Sequence, residues 1–174
     1  MKDSWIGRLY RDRAAAAAFI VFVVSAATIL GAWYFEFVLK YQPCPLCLEE
    51  RIPYHIVIPL SLLVTVAALV RAPRMLIMVG LLAIVAAMLC SAALGIYHAG
   101  IEWRFWPGPA ECSGGMTDFT KKGPLLDQLQ SIRIVPCNEA AWRFLGISLA
   151  GYNALISLAL AAIAILGVRG RKRA

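Results

Sequence analysis

Charged side chains are scarce in this sequence. Only 16% of the 174 residues are Asp, Glu, Lys or Arg, whereas 61% are hydrophobic. So few charges argue against a soluble single domain and favour a polytopic membrane protein. The formal net charge of +7 is concentrated in a few segments, so it bears on membrane orientation rather than on nucleic-acid binding.

Charges are almost absent from four long stretches, each long enough to cross ~30 Å of hydrocarbon. The chain is therefore predicted to be all-α, a single-domain integral membrane protein folded as an antiparallel four-helix bundle. The predicted spans are about 14–36, 52–70, 75–98 and 144–168, with outer loops at about 37–51 and 99–143. Leucine and isoleucine spacing within 121–134 predicts a short amphipathic helix on the membrane surface in the second loop.

Basic residues are unevenly distributed between the two ends of these spans. The N-terminal segment, the 71–74 turn and the C-terminal tail carry ten of the seventeen Lys and Arg residues. The positive-inside rule therefore predicts that both termini are cytoplasmic. Both cysteine-bearing loops then lie outside, which in the inner membrane of a bacterium means the oxidising periplasm.

Two of the five cysteines form a C-x-x-C motif in the first outer loop. Cys44 and Cys47 can close into a small disulfide ring and reopen by thiolate attack, as thiol–disulfide exchange requires. The same spacing also occurs in zinc sites and in inert disulfides. Arg51, where the next helix is expected to begin, favours a thiolate nearby and so strengthens the redox interpretation.

The other three cysteines occupy different settings. Cys90 lies within the third span, where we expect a small apolar residue buried in the membrane. Cys112 and Cys137 share the second loop, and a bridge between them could be purely structural. Proline and glycine around Cys112 predict an extended segment that presents a sulfur to a partner, which favours a redox role instead.

Several of these motifs together resemble one known family. QPCPLCLEER in the first loop, YHAGIEW at the end of the third span, a second cysteine pair and four spans are similar to the disulfide bond formation protein B (DsbB) family. The resemblance covers nearly the whole chain. It implies a thiol oxidase that passes electrons from a periplasmic DsbA-like thioredoxin-fold protein to a membrane quinone, ubiquinone or menaquinone. The resemblance thereby implies that the protein supports disulfide formation in secreted proteins. We expect the protein to be a monomer.

The resemblance also implies a role for each of the four loop cysteines. Cys112 would form the mixed disulfide with the partner, and Cys137 would be released to exchange with Cys44. Cys47 would face the quinone. Arg51 would lie beside the quinone ring, where it would hold Cys47 as a thiolate and stabilise charge on the ring oxygen.

His98 and Glu102 share a helix face at the outer end of the third span. We assign both, with Arg51, to the predicted quinone site; His98 would bind the quinone oxygen or supply a proton. A purely interfacial histidine is the alternative. No metal site is expected, because the second cysteine pair lacks the spacing of a four-thiolate site.

Three other interpretations remain open. The chain could be a structural membrane protein with two inert disulfides. His55 and His98 could together ligate a haem iron near the outer ends of adjacent spans. Vitamin K epoxide reductase-like enzymes share the chemistry, but their quinone-side motif occupies a different place in the chain order.

Overall fold

The computed structural model describes residues 12–109 and 137–169. Among these residues the regular secondary structure is helical apart from one small hairpin. Helix α1 spans Arg13–Trp33 and continues into a π-helical segment, Tyr34–Val38. The remaining elements are α2 (Pro45–Glu49), α3 (Arg51–Leu69), α4 (Arg74–Glu102), β1 (Arg143–Phe144), β2 (Ile147–Ser148) and α5 (Leu149–Arg169).

Four helical segments are long and apolar enough to cross a membrane: Arg13–Val38, Pro45–Leu69, Arg74–Glu102 and Leu149–Arg169. They pack as a ring in which α1 contacts α3, α3 contacts α4, α4 contacts α5 and α5 contacts α1. The predicted all-α, four-helix membrane bundle is therefore confirmed. The predicted surface helix at 121–134 lies outside the described residues.

Small side chains are packed among large ones such as Leu81, Ile84 and Met88 in the interior of the bundle, and large apolar side chains also cover its outside. Four of the five consecutive alanines near the start of α1 are buried, whereas Leu30, Leu63 and Leu166 are mostly exposed. This distribution suits a protein whose outer surface meets lipid and whose helices approach closely. Cys90 is exposed on that outer surface, so it is not packed between helices.

A buried polar cluster ties three helices together inside the bundle. The Tyr54 hydroxyl lies 2.8 Å from Ser157 Oγ, and Ser157 Oγ donates to Ser91 Oγ at 3.0 Å. These residues belong to α3, α5 and α4. Because an unpaired hydroxyl is costly in hydrocarbon, such bonds fix the helices in one mutual arrangement.

Helices α4 and α5 approach each other closely beside Gly95. A Cβ atom at Gly95 would lie 2.9 Å from the backbone nitrogen of Ala154 and 3.0 Å from the carbonyl oxygen of Ala150. Neither backbone atom can move without shifting α5. Glycine at this position therefore sets the distance between the two helices.

We expect Gly95→Ala to lower the free energy of unfolding by ~1–3 kcal/mol, because the added methyl group overpacks this crossing. Thermal unfolding in detergent would measure the effect. Gly31→Ala is the matched control, since a Cβ atom there meets nothing within 4 Å. A Gly95→Ala protein as stable as the Gly31→Ala protein would contradict close packing at this point.

The last helix begins later than the uncharged run at 144–168 suggested. Residues 143–148 form a hairpin in which Arg143 pairs with Ser148 and Phe144 with Ile147. Leu145 and Gly146 take positive φ angles of 51° and 82°, which a helix does not allow. Ser148 then begins α5 by accepting a hydrogen bond from the Gly151 N–H at 3.2 Å.

Candidate redox site

Cys44 and Cys47 are brought together by the short helix α2. Cys44 is the N-cap residue, and its Sγ accepts a hydrogen bond from the Cys47 N–H at 3.3 Å. Pro45 follows at the first helical position, where its fixed φ angle favours helix initiation. The two Sγ atoms are 2.8 Å apart, and both residues are free thiols. The motif is therefore present as a hydrogen-bonded dithiol.

Cys44 is the more buried thiol of the pair, with 3% of its surface exposed. Its Sγ lies within hydrogen-bond distance of Cys47 Sγ, at 2.8 Å, and 3.6 Å from His98 Nε2. The Cys47 hydrogen bond is the largest influence on the pKa of the Cys44 thiol; burial opposes it, and His98 reinforces it. The net effect lowers the pKa of Cys44 from 9.0 to about 4. This lowered pKa favours the thiolate form of Cys44 in the reduced pair.

This charge distribution predicts an unusual pH profile for alkylation of Cys44 in the reduced protein. Only the thiolate reacts quickly with iodoacetamide, and a lowered pKa keeps the thiolate populated at acidic pH. The rate at Cys44 should stay constant from neutral pH downwards and fall only near pH 4. Mass spectrometry of the Cys44 peptide at each pH would give the profile. A midpoint of the alkylation profile near pH 9 would show that the pKa of Cys44 is not lowered and would contradict the prediction.

Glu50, which lies close to the cysteine pair in the chain, contacts side chains of both α4 and α5. Its Oε1 is 2.7 Å from His98 Nδ1 on α4, and its Oε2 accepts from Asn153 Nδ2 on α5 at 2.9 Å. Glu50 is itself buried. A carboxylate held from both sides fixes the orientation of the His98 ring, so that Nε2 faces the Cys44 sulfur.

The sequence analysis missed Glu50 and Asn153. Glu50 stands next to Arg51 in the first loop, and Asn153 is an amide within an otherwise apolar membrane-spanning helix. A polar side chain in such a helix is costly, and this is the signal that could have indicated Asn153.

Cys47 borders a cavity of about 290 Å³ between α1, α3 and α5. Its lining is mainly apolar and includes Ile29, Ala32, Phe35, Tyr54 and Ile156, with Glu50 and Arg51 among the polar members. The volume is near the lower limit of ligand cavities, which run from ~300 to ~1,000 Å³. The cavity can accept a flat apolar group that reaches the Cys47 sulfur.

Arg51 lines the same cavity and forms an ion pair with Glu36, with 2.5 Å between Nη1 and Oε2. The guanidinium is thus held at the cavity by the last turn of the first membrane-spanning segment. Its charge is shared with a carboxylate. The expected role of Arg51 in holding Cys47 as a thiolate beside a quinone stays a prediction.

His98 and Glu102 lie close together but outside the lining of this cavity. Glu102 is buried, and its Oε1 is 3.9 Å from His98 Nε2. Their assignment to a quinone site stays a prediction. His55 is exposed, with Nδ1 2.8 Å from the Arg51 carbonyl oxygen, so its surroundings are separate from those of His98.

The second cysteine pair is described only in part. Cys137 is fully buried and disulfide-bonded, and it shares one buried cluster with Cys44, Leu46 and Ile101. Cys112 lies outside the described residues. The cluster brings a cysteine of the second loop to Cys44, which does not line the cavity. Cys47 also packs against the edge of this cluster.

An apolar four-helix bundle with a dithiol at one end, beside an apolar cavity, defines a multi-pass membrane protein with a thiol redox site. The family model described as disulfide bond formation protein DsbB matches residues 14–167. The chain therefore belongs to the DsbB family, which gives it a role in disulfide bond formation as a disulfide oxidoreductase.

Relatives of similar length agree with this family. Disulfide bond formation protein B of Marinobacter nauticus is 31% identical over 144 residues, covering 78% of this chain and 80% of that protein. Disulfide bond formation protein B of Methylococcus capsulatus is 30% identical over 154 residues, covering 83% of this chain and 88% of that protein. An uncharacterized protein of Rickettsia prowazekii is 28% identical over 159 residues, covering 89% of this chain and 88% of that protein.

Proposed function

We propose that this protein reoxidises a periplasmic DsbA-like dithiol protein and passes the electrons to a membrane quinone. The observation that carries the proposal is the division between the two thiols of the first pair. Cys47 lines the apolar cavity with Arg51, and Cys44 does not. Cys44 is instead a buried member of the cluster that contains Cys137, against which Cys47 packs only at the edge. One sulfur is thus available to an apolar acceptor and the other to the second cysteine pair. In this proposal the protein lies in the bacterial inner membrane with both termini cytoplasmic, and one chain supplies all four cysteines.

The residues around the cavity suit a quinone ring. Ile29, Phe35 and Ile156 supply apolar surface, and Arg51 supplies a cation at the edge where a ring oxygen would lie. A quinone held there would supply the oxidant, a group able to take up two electrons and two protons, by which the Cys44–Cys47 dithiol returns to a disulfide. The cavity does not itself distinguish ubiquinone from menaquinone.

The first thiol exchange begins at the second loop. A partner thiolate attacks Cys112, and Cys137 leaves as a thiolate. Cys137 then attacks the Cys44 sulfur of the Cys44–Cys47 disulfide, and Cys47 leaves as a thiolate beside the cavity. The shared burial of Cys44 and Cys137 supports direct attack between them.

The second exchange releases the oxidised partner. Its remaining thiolate attacks the mixed disulfide, and the partner leaves as a disulfide while Cys112 leaves as a thiolate. Cys112 then attacks Cys137, which releases Cys44 as a thiolate. A sulfur with a low pKa leaves readily, and the pKa of Cys44 is lowered by Cys47 and His98. The dithiol at Cys44 and Cys47 with Cys137 in a disulfide is the product of this step.

Stopped-flow absorbance tests the whole sequence. The purified protein is mixed with a reduced thioredoxin-fold oxidant and ubiquinone, and quinone loss is followed together with partner thiol loss. We expect equal stoichiometric loss of both. Cys90→Ala is the control and should retain this activity, because its thiol lies on the outer surface. Partner thiol loss without quinone loss would contradict the proposed electron acceptor.

A further inference from the structure

Three side chains that commonly bind soft metal ions meet at the redox site. Their ligand atoms, Cys44 Sγ, Cys47 Sγ and His98 Nε2, all lie within 4.8 Å of one another. We propose that the dithiol form of this site binds a thiophilic divalent cation of the Zn²⁺ class through these three atoms. Such binding goes beyond the proposed oxidase activity, which it would block while the cation is present.

The distances suit a tetrahedral ion. With Zn–S of ~2.3 Å and Zn–N of ~2.0–2.1 Å, a sulfur and a nitrogen on the same zinc are roughly 3.5 Å apart. Cys44 Sγ and His98 Nε2 are separated by 3.6 Å. The two sulfurs, at 2.8 Å, must move apart by roughly 1 Å to reach the spacing that the same bond lengths give. Cys47 is only partly buried and borders the cavity, so it has room for this movement.

His98 is already oriented as a metal ligand. Metal-binding histidines usually donate their other ring N–H to a carboxylate, and His98 Nδ1 is 2.7 Å from Glu50 Oε1. Asn153 holds the second oxygen of Glu50 at 2.9 Å. The cation would take the place of a proton on Nε2 and release that proton.

A buried carboxylate beside the site independently favours a cation. Glu102 Oε1 is 3.9 Å from His98 Nε2, and Glu102 Oε2 is buried with no hydrogen-bond partner among the described residues. A buried carboxylate oxygen without a partner is costly, and a nearby positive ion would offset that cost. Two thiolates would neutralise the ion itself.

Only the dithiol can bind in this way, because a disulfide has no thiolate to offer. No electrons are transferred: Cys47 Sγ and His98 Nε2 give up their protons, Cys44 gives up its proton where it still carries one, and two sulfur–metal bonds and one nitrogen–metal bond form. The bound ion would hold both sulfurs and prevent Cys44 from exchanging with Cys137 until a chelator removed it.

Cadmium titration of the full-length protein in detergent, under anaerobic conditions, tests the site. Cys112→Ser and Cys137→Ser remove the competing second pair, and the sulfur-to-cadmium charge-transfer absorption reports binding. We expect one Cd²⁺ per reduced chain and none after oxidation. Adding Cys90→Ala should change nothing, whereas adding His98→Ala should weaken binding by ~10-fold or more. Equal binding by the oxidised and reduced proteins, or no effect of His98→Ala, would overturn the proposal.

X-ray absorption at the zinc edge gives the ligands without relying on the His98 variant. In the reduced protein carrying only the two serine substitutions, we expect two sulfurs at ~2.3 Å and a histidine nitrogen at ~2.0–2.1 Å. A shell without sulfur, or without a histidine nitrogen, would refute the site. Neither measurement contains quinone or partner protein, so failure here and failure of the oxidase activity are distinguishable.

Discussion

Replacement of Cys47 with serine is expected to abolish quinone-dependent turnover. Without Cys47 the first pair cannot close into a disulfide, so Cys44 can exchange within the chain only with the second cysteine pair in the proposed sequence of steps. The Cys44 thiolate should attack the Cys137 sulfur, because both residues lie in one buried cluster. Cys112 would leave as a thiolate, and a Cys44–Cys137 disulfide would accumulate when alkylation of Cys112 prevents the reverse reaction.

Two measurements on the same sample test this outcome. Stopped-flow absorbance should show no quinone loss, and mass spectrometry of a non-reduced digest should show the peptides of Cys44 and Cys137 joined. Cys90→Ala should retain turnover and show no such product. If Cys47→Ser remained active, or if Cys90→Ala were equally damaging, the proposed division of roles among the cysteines would be wrong.

The membrane-spanning helices could be predicted from the sequence because a single property determines them. A stretch of apolar residues long enough to cross hydrocarbon has no stable alternative to a helix once it is in lipid. The start of α5 was harder to predict. Phe144, Leu145 and Ile147 continue the apolar run, yet the positive φ angles of Leu145 and Gly146 form a turn there. Hydropathy does not detect a tight turn made of apolar residues.

The thiols of the site could be predicted, but their electrostatic environment could not. The C-x-x-C spacing and the following Arg51 indicated a redox-active pair at the membrane edge. The Cys47 hydrogen bond lowers the pKa of Cys44 most, and it follows from the motif itself. His98 reinforces this effect, but it is far from Cys44 in the sequence and is brought to it by the packing of α4. Arg51 illustrates the same limit, because its ion pair with Glu36 depends on where the first membrane-spanning segment ends.

Glu50 shows why local motifs are insufficient for this site. In the sequence it is one of two adjacent glutamates, and nothing nearby distinguishes it from Glu49. The structure buries Glu50 between α4 and α5 and leaves Glu49 exposed. The difference arises from the helical turn after Cys47, which directs one carboxylate into the bundle and the other out of it.

This difference yields the second large prediction: Glu50→Gln should reduce turnover by roughly 10-fold or more. Glutamine keeps the size of the side chain but removes the charge that fixes His98 beside Cys44. Loss of that support should raise the pKa of the Cys44 thiol and make Cys44 a poorer leaving group. Destabilising the Cys44 thiolate by ~1.4 kcal/mol relative to the thiol lowers the ionisation constant of Cys44 by ~10-fold. Glu49→Gln, one residue earlier and exposed, should leave turnover unchanged.

The pH profile of Cys44 alkylation separates this effect from general damage to the fold. In Glu50→Gln the midpoint should lie well above pH 4, whereas a merely destabilised protein would keep the native midpoint in its folded fraction. Glu50 acts on Cys44 through His98, so the effects of Glu50→Gln and His98→Ala should not add in the double variant. Fully additive losses would mean that Glu50 supports the helix packing through Asn153 and does not influence the thiolate.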